Sequence, residues 1–260
     1  MLEFFTIFLT YPALMLTEAM RIELQLASLS LFSLVYLLGC FLWSWFTSRD
    51  LPGPQAKTVV FNSTFLNSIF LPFPLINAFY GDLSAAILFS MPVMVVHNTL
   101  GLFYLSSGRK RENLKKIATF PPLLAFAVGM VLRPLSWGGA SFEYLHAFGK
   151  LTVYLSLILV GLYLPLSRQS VFFFSSRVPL QIFLNRMLFS PLLVSAFLPL
   201  FQDQLVRRTL LINSLMPPAI TNAVIISSFG LDVKYTSQSL FLPTFISLTT
   251  VLCLRGLGFL

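Results

Sequence analysis

The stretch Asn213-Ser-Leu-Met-Pro217-Pro218-Ala-Ile-Thr221-Asn222-Ala, continuing to Gly230-Leu-Asp232, sets two prolines and two asparagines inside an otherwise apolar run. Proline has no N–H and clashes with the preceding turn, so it interrupts a helix at a cost of about 3 kcal/mol. In hydrocarbon the carbonyls released by such a break are costly unless protein or cavity water meets them. The segment therefore reads as a broken membrane helix lining something polar. A second stretch echoes it: Asn67-Ser-Ile-Phe-Leu-Pro72-Phe-Pro74-Leu-Ile-Asn77-Ala-Phe-Tyr-Gly81-Asp82. Each has Asn-Ser, then proline, then Asn-Ala, then a Gly with an Asp close behind. The spacings differ, so the likeness is one of plan.

The surrounding composition says what solvent these breaks sit in. Of 260 residues, 57% are hydrophobic and only 10% charged, with a mean hydropathy of +0.84. Soluble chains carry about 25% charged residues, so this surface must be covered by lipid. Apolar stretches run at about 4–20, 27–46, 58–80, 83–105, 117–133, 146–166, 179–201, 208–229 and 236–256. A membrane helix needs about 20 apolar residues. The expected fold is all-α, a polytopic membrane protein of about nine transmembrane helices, with 1–260 as one membrane domain. Cys40 and Cys253 sit in apolar runs without metal-ligand spacing and read as packing residues. The N-terminus has no basic region or small-residue cleavage site and does not read as a signal peptide.

The net charge of +8 does not point to nucleic acid, whose binders cluster Lys and Arg on a solvated face. Here the bases lie in short segments between apolar runs. Arg109, Lys110, Arg111, Lys115 and Lys116 mark the 106–116 loop as cytoplasmic by the positive-inside rule. Alternation from that anchor puts the Arg49/Lys57, Arg168/Arg177 and Lys234 segments inside. Gly81-Asp82, the Ser136 to Glu143 segment and Asp203 fall outside, with Arg207 and Arg208 as dissenters. The N-terminus is then inside and the C-terminus outside, in an integral protein of the cell membrane.

The two proline segments are five spans apart, the third and the eighth, so they cross the bilayer in opposite directions. Interrupted helices in corresponding places of two halves mark an inverted-repeat transporter whose breaks meet near the midplane. Half-helix N-termini attract a carboxylate, and half-helix C-termini attract a cation or proton donor. The expected substrate site is Asn67, Asn77, Thr221 and Asn222, with the helix ends freed by Pro74 and Pro217. The asparagines supply neutral donors and acceptors that hold an anion without burying a second full charge. The partners expected are a small organic anion, a proton or sodium as coupling ion, the lipid bilayer and a second copy in a homodimer; no cofactor is expected.

Other polar residues carry less. Arg186 is an intramembrane cation, readable as functional or as a tie between helices. His97 reads as a hydrogen-bonded core histidine, Glu18 as a solvated interfacial residue, and His146 and Lys150 as flanking a helix start. The Phe residues, including Phe172 to Phe174, read as lipid-facing or packing groups. No phosphate loop, zinc motif or nucleophile elbow is present, so an enzyme is not expected.

These residues resemble the auxin efflux carrier family, which includes plant auxin exporters and prokaryotic malate or malonate carriers and is related to the bile-acid/sodium symporters. Asn67 to Pro74 is similar to the family's Asn-Thr-Gly-Phe-x-Gly-x-Pro stretch. Met216 to Ala223, followed by Gly230-Leu-Asp232, is similar to its Met-Pro-x-Ala-Thr-Asn-Ala stretch ahead of a Tyr-Gly-x-Asp turn. Phe120-Pro-Pro122 with Gly129, and Gly149 through Gly161, resemble parts of its second half. The resemblance implies ten spans in two inverted five-helix repeats. The first two helices of each repeat form a scaffold, the last three form a transport domain, and the fourth helices cross at the substrate. Mapped here, 1–105 is a first, incomplete repeat, 106–116 the cytoplasmic basic loop and 117–260 the second five-helix repeat. The family's first helix has no counterpart, and Tyr11-Pro12 falls in its second. Ile69 and Pro72 stand where the family has Gly, which reshapes the pocket.

The reading is a secondary carrier of a small carboxylate working by elevator-type alternating access. Its rivals are a sodium-coupled symporter of the bile-acid type and a truncated, non-transporting membrane relative.

Overall fold

In lipid, every backbone N–H and C=O must find a partner within the protein, which leaves a low-charge apolar chain little choice but helix. The computed structural model describes residues 2–21, 27–105, 121–135, 139–163 and 176–260. Lys110 and the other bases of the 106–116 loop, Phe120, Ser136, Arg168 and Phe172 to Phe174 lie outside the described residues. All of the regular structure described is helical: α1 (2–21), α2 (Ala27–Thr47), α3 (Gly53–Thr64), α4 (Pro72–Tyr80), α5 (Ser84–Leu105), α6 (Pro121–Leu135), α7 (Ala140–Tyr163), α8 (Arg177–Leu200), α9 (Gln204–Ser214), α10 (Thr221–Ser228) and α11 (Val233–Gly256). Five of these, α2, α5, α7, α8 and α11, are long and apolar enough to cross a membrane, and α6 is a shorter apolar helix. The chain is an all-α polytopic membrane protein.

The two proline-bearing spans are each split in half. α3 and α4 are the halves of one, α9 and α10 those of the other. Their punctuation explains much of the sequence echo. α4 ends on Gly81 at φ +71°, and Gly230, at φ +69°, closes the turn after α10; the left-handed region costs glycine least. An aspartate then opens the next helix. Asp82 Oδ1 accepts from Ser84 N at 2.8 Å, and Asp232 Oδ1 accepts from Lys234 N at 2.8 Å, meeting amides that helix starts leave unpaired.

The echo's register, however, differs from the one the spacing suggests. By position, the counterpart of Asn213-Ser214 is Asn62-Ser63 at the end of α3, five residues before Asn67-Ser68. Asn62 Nδ2 donates to Thr58 O and Asn213 Nδ2 to Thr209 O, both at 2.9 Å. The first half-helix of each pair thus ends on Thr-x-x-x-Asn-Ser.

Helices α6 and α7 both pack on α1, while α2 to α5 and α8 to α11 pack chiefly among themselves. The first group is held by close approach. A Cβ placed on Gly129 of α6 would lie 2.5 Å from Leu16 O, and one on Gly149 of α7 would lie 2.5 Å from Leu14 N. Small residues let membrane helices meet backbone to backbone, where dispersion and polar ties replace the hydrophobic drive. Thr152 Oγ1 donates to Thr10 Oγ1 at 2.9 Å, and Thr17 Oγ1 lies 3.2 Å from His146 Nδ1. The two groups touch where α7 meets α4 and α1 meets α5.

Several expectations are corrected. Glu18 is buried, not solvated, with His146 Nδ1 at 3.8 Å, because α7 folds over that end of α1. His146 and Lys150 lie well inside α7, which begins at Ala140. Cys40 is buried as expected, but Cys253 is exposed on the outer side of α11.

Candidate functional site

The breaks in the two split spans meet. Leu66 and Pro218 form an isolated antiparallel bridge: Asn67 N donates to Pro217 O at 2.8 Å, and Ala219 N donates to Phe65 O at 2.9 Å. Each unwound segment supplies the hydrogen-bond partners the other lost by leaving the helix. Proline plays two different parts here. Pro217 and Pro218 stand in the extended segment, where Pro218 needs no donor partner. Pro72 and Pro74 stand in the first turn of α4, where a missing N–H costs little. The break of the first span is therefore at 65–71, upstream of Pro74; Pro74 starts the second half-helix and does not free the ends at the crossing.

Asn67, Pro217, Thr221 and Asn222 come together at the crossing. Pro74 and Asn77 do not line its cavity: Pro74 is buried in the first turn of α4, and Asn77, near the helix end, accepts Gly81 N on its carbonyl. Asn67 Oδ1 accepts from Phe70 N at 3.0 Å, shaping the turn into α4. Asn222 is fully buried and ties the spans together. Its Nδ2 donates to Phe65 O at 3.1 Å and to Asn62 Oδ1 at 3.3 Å.

A cavity of about 190 Å³ lies on the side where α4 and α10 begin. Asn67, Ser68 and Thr221 line it from the broken spans, Tyr11 from α1, and His97 and Asn98 from α5. It therefore lies where the α1 group faces the remaining helices. The Tyr11 hydroxyl meets only the Met94 thioether, at 3.9 Å. His97 is buried and stacks on Phe65 with ring centroids 4.6 Å apart. It interacts with the Asn222 side chain, yet His97 Nε2 and Asn222 Oδ1 have no partner that meets hydrogen-bond geometry. Asn222 is thus the partner expected of a hydrogen-bonded core histidine, although the contact falls short of ideal geometry. Buried polar atoms are almost always satisfied, and His97 Nε2 and Asn222 Oδ1 are complementary to each other as donor and acceptor.

The opposite side of the crossing, where α3 and α9 end, is closed by Arg186. Its guanidinium is fully buried and donates to Met216 O from Nε at 3.2 Å and from an Nη at 3.0 Å. It also reaches Ser214 O at 3.5 Å, Ser63 O at 3.4 Å and the Tyr36 hydroxyl at 2.8 Å. A wider turn helps deliver these side chains. Each of the three π turns among the described residues, Thr6–Thr10, His97–Gly101 and Asn185–Phe189, carries or directly precedes a residue at the crossing. Such bulges re-aim side chains and recur at functional sites. Tyr11, His97 and Asn98 escaped the sequence reading of the site. The adjacent polar pair His97-Asn98 in an apolar span is the signal that could have found two of them.

The fold and its crossing define an all-α membrane protein with two interrupted helices meeting over a small polar cavity. No known family model matches the chain. A protein of Methanothermobacter thermautotrophicus described as an uncharacterized transporter is 26% identical to it over 256 residues, spanning 92% of this chain and 82% of that protein. That similarity supports a transporter role in general.

Proposed function

We propose that this chain is a secondary carrier for a small organic anion, a carboxylate in particular, of the auxin efflux carrier type. The observation that carries the reading is the cavity at the crossing. It lies at the starts of α4 and α10, where helix dipoles favour negative charge, and His97 lines it from α5. Asn67, Ser68, Thr221 and the Tyr11 hydroxyl would complete a neutral, donor-rich shell. Such a shell binds an anion in a membrane interior without a buried cation of its own at the cavity.

Alternating access follows from where the cavity lies. Ile7 and Tyr11 belong to the α1 group and the remaining walls to the other helices, so sliding of one group against the other would open the cavity to each side in turn. The two split spans would then be the fourth helices of inverted repeats. The N-terminus would be cytoplasmic and the C-terminus outside, in the cell membrane.

The test is counterflow in proteoliposomes preloaded with unlabelled acid, using radiolabelled acetate, lactate, malonate and malate in turn. Accumulation of at least one acid above protein-free liposomes, lost in Thr221→Val, supports the reading. Absence of accumulation for all four defeats it.

A further inference from the structure

We propose that Arg186 is a tethered cation that permanently fills a cation site built by the crossing, so that no free alkali ion binds there. In carriers with interrupted helices, unwound carbonyls and half-helix C-termini are the groups that coordinate a coupling cation. Those groups are present here, at the ends of α3 and α9. The carbonyls of Ser63, Ser214 and Met216 all lie within 3.5 Å of the Arg186 guanidinium nitrogens. Ser63 and Ser214 hold corresponding places in the two split spans, each just after the asparagine that bonds back to a threonine carbonyl. The guanidinium thus sits between two equivalent negative helix ends.

The charges balance. A guanidinium stays protonated in proteins, and an isolated one in a membrane interior is strongly disfavoured. Among the described residues the ion pairs are Arg21–Glu143 and Glu18–His146, so no carboxylate neutralises Arg186. Two helix C-termini at roughly half a negative charge each supply about one compensating charge. A relay of hydroxyls fixes the geometry: Arg186 donates to Tyr36, Tyr36 and Ser190 share a bond of 2.7 Å, and Ser190 donates to Ser214 O at 2.7 Å. An alkali ion at these carbonyls would have to displace a side chain that already satisfies them.

The proposal goes beyond the carrier reading and its test uses no transport assay, so either can fail alone. Thermal unfolding of the purified protein is measured in sodium, potassium and choline chloride at matched ionic strength. The wild type should show the same Tm in all three. Arg186→Ala should lose several degrees and regain at least half of the loss in low millimolar methylguanidinium, with urea, a neutral analogue of similar shape, giving no recovery. Arg186→Lys should fall between wild type and Arg186→Met. Sodium stabilisation of the wild type over choline overturns the proposal, whether or not the alanine variant folds. So does equal recovery of Arg186→Ala by urea and methylguanidinium.

Discussion

The amide of Asn67 donates to the carbonyl of Pro217 at 2.8 Å, joining residues 150 positions apart at the point where both of their helices come undone. In water such a bond would be worth little net, because both groups could turn to solvent. Inside a bilayer the alternative is two unsatisfied peptide groups, each costing several kcal/mol. The two breaks therefore stabilise one another, and neither is an independent kink.

Asn222 is the side chain that reinforces this junction. Asn222→Ala removes the donors to Phe65 O and Asn62 Oδ1 and should destabilise the fold by ~1–3 kcal/mol. It should also abolish carboxylate uptake in proteoliposomes. Uptake equal to wild type would remove Asn222 from the site.

Tyr11→Phe separates binding from folding. The hydroxyl it deletes has only a thioether contact, so the Tm should stay within about one degree of wild type if a lost hydrogen bond contributes little there. If that hydroxyl meets the anion, counterflow should drop about tenfold, the equivalent of roughly 1.4 kcal/mol. Full activity would take α1 out of the substrate's surroundings.

Gly149→Val and Gly129→Val test the close approach of α1 to α7 and to α6. Even the first carbon of a side chain meets backbone at 2.5 Å in both places. Overpacking of this kind costs typically ~1–3 kcal/mol and sometimes more. Both variants should unfold at lower temperature, whereas Gly161→Val, which meets nothing within 4 Å, should not. Equal Tm values across the three would show that the helices can part freely.

Orientation is checked with reporter fusions at Leu260. A C-terminus on the outer side predicts an active alkaline phosphatase fusion and a dark green fluorescent protein fusion in a bacterial host. The opposite pattern would reverse the assignment drawn from Arg109 to Lys116.

The helices were readable from the residues alone because lipid imposes one rule on every segment: long apolar runs with internally satisfied backbone. The same holds for the interruptions, since proline and glycine act on their own φ angles and their own N–H groups. Gly81-Asp82 and Gly230-Leu-Asp232 announce a helix end and the next helix start without help from the rest of the chain. What the residues could not supply was register. Asn67-Ser68 looks like the partner of Asn213-Ser214, yet the fold gives that place to Asn62-Ser63, because α3 ends at Thr64, before Pro72 and Pro74 are reached. Nor could they tell which of several buried polar groups face each other. Arg186 against Ser63 and Ser214, and Tyr11 and His97 around one cavity, are pairings between distant segments. Packing sets them by deciding which backbone groups are left exposed for a side chain to meet.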